Sequence, residues 1–304
     1  MALMSDSVRF LGAPARHVEV GSAGIAYRRF GAGPPLVLLH GWPFSGFTFR
    51  RLIPLLEDRF TCYVPDLPGA GDSTWTGATD FSFAGRARMV SELAERLGLR
   101  SYFVAGHDTG ATVARQLALI DGERILKLAI INTEMPGHRP PWIPLYRLLM
   151  FLPGANLAFR QLVRLRWFVH SSLGFGSCFY DRALLDGEFA ELVINPIVRS
   201  AKRMEGQALA LRGIDWSVVD RLADTHAGIR APVLLIWGED DTIFPIARAR
   251  EMAAQFPHGA GLRAIPEAKF LVHEERPDRV AHALREFFLG LDARAAAPAK
   301  VAAS

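Results

Sequence analysis

The pentapeptide Gly106-His107-Asp108-Thr109-Gly110 carries the clearest chemical signal in this sequence. It joins an apolar run, Tyr102 to Ala105, to a helical pattern, Ala111 to Leu119, and so reads as strand, turn, helix. Small residues at 106, 110 and 111 allow a turn too tight for larger side chains. Such a turn lifts its central side chain to the C-terminal edge of a sheet, at the positive end of a helix. A carboxylate there is ionised at pH 7 and needs no activating base to attack carbon. The competing reading is plainer: Asp108 caps the helix that begins at Thr109. Cys62 and Cys178 suit neither a zinc site nor a disulfide framework and read as buried free thiols.

A reactive turn of this kind needs a sheet to hold it. Short apolar runs bounded by Gly, Pro and Asp supply the strands: Leu36 to Leu39, Tyr63-Val64, Tyr102 to Ala105, Leu128 to Ile131 and Val233 to Trp237. Near-continuous apolarity over four or five residues suits strands buried on both faces, as in a parallel sheet. Helical stripes lie between them, over Ala84 to Leu97 and again over Asp278 to Leu291. The segments His17 to Val20 and Ile25 to Phe30, joined by Gly21-Ser22-Ala23-Gly24, predict a β-hairpin in front of the sheet. Together these predict an α/β fold with crossover connections. From about 135 to 216 the alternation stops, and aromatic stretches such as Trp142 to Tyr146 and Leu165 to Phe168 take over. That region is expected to be a helical cap, its aromatics either lining a pocket or packing the cap onto the core. The expected division is core over 1–134, cap over 135–216, core again over 217–292, and a disordered Ala-rich tail over 293–304.

Composition narrows the class. With half of its 304 residues hydrophobic, the chain can bury a large core. The formal charge of +4 comes from scattered residues without a Lys/Arg run, so no nucleic-acid partner is expected. No apolar run reaches transmembrane length, and Met1 to Arg16 lacks a signal-peptide core, so a cytoplasmic protein without a membrane partner is expected.

Three further motifs follow the other strands: His40-Gly41-Trp42-Pro43, Asp66-Leu67-Pro68-Gly69-Ala70-Gly71-Asp72-Ser73 and Gly238-Glu239-Asp240-Asp241. In this order and spacing the set resembles the α/β-hydrolase superfamily from about His17 to Leu291, the cap excluded. His-Gly-x-Pro with an aspartate in the turn is similar to the epoxide hydrolases and the haloalkane and haloacetate dehalogenases. Those enzymes attack carbon with the aspartate, and a histidine-activated water hydrolyses the resulting ester. The resemblance implies a mostly parallel sheet flanked by helices, with a helical cap inserted. It makes Asp108 the nucleophile and the backbone N–H groups of Trp42 and Thr109 the oxyanion hole. Asp241 matches the acid that orients a histidine, and Glu134 sits near where some dehalogenases carry that acid instead. His40 and His107 belong to the motifs and are expected to be structural rather than basic, with His40 counted among the substrate-binding residues.

The histidine itself is where the chain departs from the pattern. Relatives commonly read Ile-Pro-Gly-Ala-Gly-His-Phe; here the stretch is Ile265-Pro266-Glu267-Ala268-Lys269-Phe270. Matched without a gap, Phe270 falls on the histidine, and Lys269 becomes a candidate partner for Asp241. His273, three positions later, is either a displaced base or a surface residue beside Glu274 and Glu275. Phe cannot carry a proton, so hydrolysis of an Asp108 ester needs another base. Thr109 stands where haloalkane dehalogenases place a halide-binding Trp, and Thr109 and Thr112 where fluoroacetate-type enzymes place Arg. Epoxide hydrolases use cap tyrosines as donors, and Tyr146 and Tyr180 either do this or simply pack. The first expectation is therefore an epoxide-hydrolase-like enzyme for a small apolar organic substrate, with Trp142 among the pocket residues and no cofactor or metal. The alternatives are a dehalogenase, or a non-hydrolytic member: a cyclase, isomerase or lyase using Asp108 as acid or base, or a ligand-binding pseudoenzyme.

Overall fold

The computed structural model describes residues 5–140 and 142–290; the expected tail, 293–304, lies outside the described residues. The strands are β1 Arg16–Val20, β2 Ala23–Phe30, β3 Pro35–Leu39, β4 Thr61–Pro65, β5 Thr74–Trp75, β6 Tyr102–His107, β7 Ile125–Ile131, β8 Val233–Gly238 and β9 Ala260–Ile265. They form one sheet in the order β1-β2-β4-β3-β6-β7-β8-β9, with β5 alongside β2. The hairpin β1–β2 is antiparallel, as are the pairings of β2 with β4 and β5. From β4 to β9 every neighbour is parallel.

Burial explains why the strands were legible. All six residues of β6 and all six of β8 are buried, so no polar face interrupts their apolar runs. Helices cover the sheet. Phe83–Arg96 starts at Ser82, whose hydroxyl accepts from the Gly85 N–H, and it packs against Thr109–Ile120. On the other side Phe288, from Pro277–Leu289, stacks on Phe103 at 4.8 Å.

Register then decides what meets at the sheet edge. Leu39 pairs with Gly106, His107 with Ile131, and Ile131 with Ile236. The residues just beyond these C-terminal ends therefore converge: 40–42, 108, 132–134 and 241. Ligands of open α/β sheets bind at this edge.

Between β7 and β8 there is no strand among the described residues. Helices Trp142–Leu149, Ala155–Leu162, Arg166–His170, Asn195–Arg199 and Ala201–Arg212 occupy this stretch. Trp216–Asp220 and Leu222–Gly228 follow, and the latter packs against Thr109–Ile120 of the core. Among the described residues no helix is long and apolar enough to cross a membrane. Cys62 and Cys178 are both free and buried.

Candidate active site

Asp108 stands between β6 and its helix at φ 52°, ψ −132°, a backbone conformation that non-glycine residues rarely hold. Its side chain makes no capping bond to the helix that follows. Two glycines make room for this turn. A Cβ on Gly110 would lie 2.3 Å from the His40 carbonyl oxygen, and one on Gly41 would lie 2.5 Å from Asp108 Oδ2. The approach at Gly41 brings the Trp42 N–H to Oδ2 at 2.8 Å. The Thr109 N–H also favours the ionised carboxylate. Burial opposes both amides, and with the nearby Glu134 charge it pushes Asp108 well above the ordinary carboxylate range.

The carboxylate opens onto a cavity of about 90 Å³. Trp42, Phe44, Asp108, Thr109, Glu134, Phe244 and Phe270 form the core side of its wall. Trp142, Tyr146, Phe159, Phe168, Phe175 and Trp216 close it from the helical segment. A wall of this kind selects apolar ligands and leaves orientation to its few polar groups.

Glu134 is one of those groups. Its Oε2 accepts from the hydroxyls of Thr112 and Thr133, each at 2.7 Å. Below it, Arg115 Nη1 donates to Thr112 Oγ1 and to the Glu134 carbonyl, both at 3.1 Å. Arg86 is a second buried cation near Glu134 and Asp108. Burial pushes both guanidinium groups down, to about 10, while Glu134 draws them up. Two buried cations thus face two buried carboxylates, which limits the cost of burying each charge. Sequence patterns gave no sign of Thr112, Thr133, Arg86 or Arg115 in this role.

Asp241 is buried, but neither Lys269 nor an arginine pairs with it in a salt bridge. Its Oδ2 accepts from Asn132 Nδ2 at 2.6 Å, and its Oδ1 from the backbone N–H groups of Ile243 at 2.8 Å and Phe244 at 3.1 Å. Asn132 also accepts from the Gly238 N–H through Oδ1, at 3.1 Å, and so ties β7 to β8. Lys269 lies outside the cavity wall, and its backbone N–H donates to Glu275.

Among the described residues no histidine belongs to the cavity wall around Asp108. Phe270 lines the cavity there, its ring 4.6 Å from that of His107 and 5.9 Å from Phe244. His273 reads neither as a base nor as a surface residue in the structure. It is fully buried between Phe49 and His107, away from the cavity wall, and neither ring nitrogen has a partner among the described residues. Burial holds His273 well below the ordinary histidine range, hence neutral, and His107 is likewise pushed down to about 3. His107 Nε2 bonds the Phe270 carbonyl at 3.0 Å. His40 is also internal: its Nε2 accepts from the Leu67 N–H, which leaves Nδ1 protonated to donate to the Gly41 carbonyl.

The two cap tyrosines separate. Tyr146 lines the cavity and donates to the Leu173 carbonyl at 2.8 Å. Tyr180 is 49% exposed and lies outside the wall, because its backbone N–H is anchored to Glu275 instead. Trp142 lines the cavity. Phe168, in the aromatic stretch Leu165 to Phe168, lines it too; Phe159, Phe175 and Trp216 were missed, and their only sequence signal was the aromatic richness of this segment.

Comparison with known proteins agrees with this architecture. The chain is 29% identical over 266 residues to haloalkane dehalogenase 2 of Mycobacterium tuberculosis, covering 87% of this chain and 91% of that one. It is 41% identical over 111 residues to a soluble epoxide hydrolase of Corynebacterium sp., covering 36% and 38%. The structure of the epoxide hydrolase CorEH superposes with a TM-score of 0.76 at 24% identity, covering 91% of this chain and 99% of that one. The family model for the alpha/beta hydrolase fold matches residues 34–277, from β3 to the start of the last helix. By that match, and by the strand order that carries Asp108, the chain belongs to the α/β-hydrolase fold family and is an enzyme related to the haloalkane dehalogenases and epoxide hydrolases.

Proposed function

We propose that Asp108 attacks a saturated carbon of a small apolar electrophile, an epoxide in first place, and forms an ester with it. The observation that carries this reading is the Asp108 carboxylate, held by the Trp42 amide at 2.8 Å in an aromatic cavity. In the reaction a bond forms between a carboxylate oxygen and the epoxide carbon, and the ring C–O bond breaks. The released alkoxide needs a proton; the Tyr146 phenol lines the cavity and supplies it by turning from the Leu173 carbonyl, to which its hydroxyl otherwise donates. A halide leaving group is served less well. Thr109 offers no indole, and the Trp42 indole N–H is already given to the Gln207 carbonyl at 2.9 Å. Release of the ester is slow in this reading, because Phe270 supplies no base to activate water.

One observation favours a second reading. Burial and the neighbouring Glu134 raise Asp108, which favours its protonated form, one that can give a proton but cannot attack carbon. Asp108 then acts as acid or base in an isomerisation or elimination, without a covalent intermediate.

Intact-mass measurement after incubation with 1,2-epoxyalkanes separates the two. The first reading expects an adduct that persists in the native protein, is absent in Asp108→Asn, and is released at least about a hundredfold faster in Phe270→His, the low end of a general base's worth. A rearranged product with no adduct supports the second reading. Unchanged chemistry in Asp108→Asn sinks both.

A further inference from the structure

The helix Trp142–Leu149 is apolar on both of its faces. Inward, Trp142, Ile143 and Tyr146 line the cavity. Outward, Leu145, Leu148 and Leu149 are exposed, Leu148 to 66%, and the stripe continues through Leu152 one turn on. Leu157, on the next helix Ala155–Leu162, is 60% exposed. A helix apolar all round is normally covered on every side, and this one is covered on one side only. Ten of the fifteen exposed large apolar side chains among the described residues fall between 145 and 180. Scattered exposed leucines are ordinary; such a concentration marks an interaction surface.

Charge identifies the occupant. From Met135 to Tyr180 the sequence holds five arginines and no aspartate or glutamate. Arg147 and Arg212 both lie near the exposed Phe151 ring, 5.6 and 5.7 Å from its centroid. Arg147, Arg160, Arg164 and Arg212 make no ion pair with a described carboxylate; their bonds go to carbonyl oxygens instead. Two of the five, Arg139 and Arg166, are taken by Asp220 and Asp186, but leucine and phenylalanine beside the remaining arginines are a composition that seats a helix in the interface of an anionic bilayer. A second copy of this chain would bring the same arginines against these, so charge disfavours a homodimer there.

We propose that the outer face of Trp142–Leu149 and Ala155–Leu162 docks on an anionic lipid surface, which places the cavity mouth beside the bilayer from which apolar substrates partition. This surface stands independently of the chemistry assigned to Asp108.

Co-sedimentation with phosphatidylcholine vesicles, with and without phosphatidylglycerol, tests it. Binding should rise at least about tenfold with the anionic lipid and fall at high salt. The double variant Leu148→Glu/Leu152→Glu should lose binding. Both residues are exposed, so an unchanged melting temperature should confirm that the variant is folded. Failure to bind anionic vesicles, equal binding to neutral ones, or undiminished binding by the folded variant overturns the proposal. A wild-type dimer in light scattering that the double variant dissolves also overturns it, because a second copy then covers this face.

Discussion

The sheet edge and the helical segment above it are built by opposite rules. At the edge the two candidate carboxylates are held largely through the backbone. The Trp42 N–H holds Asp108, two N–H groups and Asn132 hold Asp241, and glycines 41 and 110 leave no space for a methyl group. In the helical segment Ala201–Arg212 has twelve residues and a Ser200 cap, but several other elements are short and loosely begun. Ala155–Leu162 has eight residues and starts at Gly154, and Arg166–His170 has five and starts at Leu165, neither with a side-chain cap. Helices of that length are not stable alone, so packing must hold them. The first region fixes which reaction is available; the second fixes what reaches it, and it can change without disturbing the chemistry.

The largest expected effect that would break this contrast lies at Gly41. In Gly41→Ala the new methyl meets Asp108 Oδ2 at 2.5 Å, so carboxylate or backbone must move. A shift near 1 Å at the reacting atom costs about a hundredfold in rate. Adduct formation in Gly41→Ala should therefore fall by at least about a hundredfold. Near-normal adduct formation would show that the edge is as tolerant as the helices above it.

Next comes pH. Burial pushes Asp241 up to about 7, against the donors that favour its ionised form. The folded chain then holds this proton more tightly than the unfolded chain does. The stability gained is complete below about pH 4 and lost as pH rises through 7. Melting temperature should decline across that window in the native protein, and decline less in Asp241→Asn. An identical slope in both would move the titrating group elsewhere, and Glu274 and Glu275, also raised by burial, are the next to test.

The smallest effect belongs to the helical segment. Tyr146→Phe removes the bond to the Leu173 carbonyl and should cost about 1 kcal/mol, roughly 2–4 °C in melting temperature. It should slow adduct formation with epoxides more than it destabilises the fold. A larger loss of stability would mean that this region is as tightly determined as the sheet edge.

The two regions also differed in how they could be read. Strands buried on both faces write themselves as short apolar runs, and the glycines around Asp108 mark a turn that few other residues allow. The α/β-hydrolase fold and its helical flanks were legible for that reason. Asn132 was not, because its bond to Asp241 spans 109 positions and leaves no local pattern. Thr112 and Arg115 were hidden likewise: each has an ordinary place in the helix Thr109–Ile120, and only the register of β6 with β7 brings them to Glu134. His273 misled in the other direction. Flanked by two glutamates it read as exposed or reactive, whereas the short helix Val272–Glu275 turns it into the core and spends the glutamates on Arg50 and on backbone amides. In the helical segment, periodicities only one or two turns long could not tell Tyr146 from Tyr180.

The two-sided helix Trp142–Leu149 has one more consequence, which belongs to thermodynamic linkage. Its inner side chains touch whatever occupies the cavity, and its outer ones touch whatever meets the surface, with a single backbone between them. If a ligand inside displaces that backbone, affinity outside must change, and contact outside must then alter affinity inside by the same factor. One helical turn thus works as a reciprocal meter, which a surface-bound and a free form of the protein would read as two different dissociation constants for the same molecule.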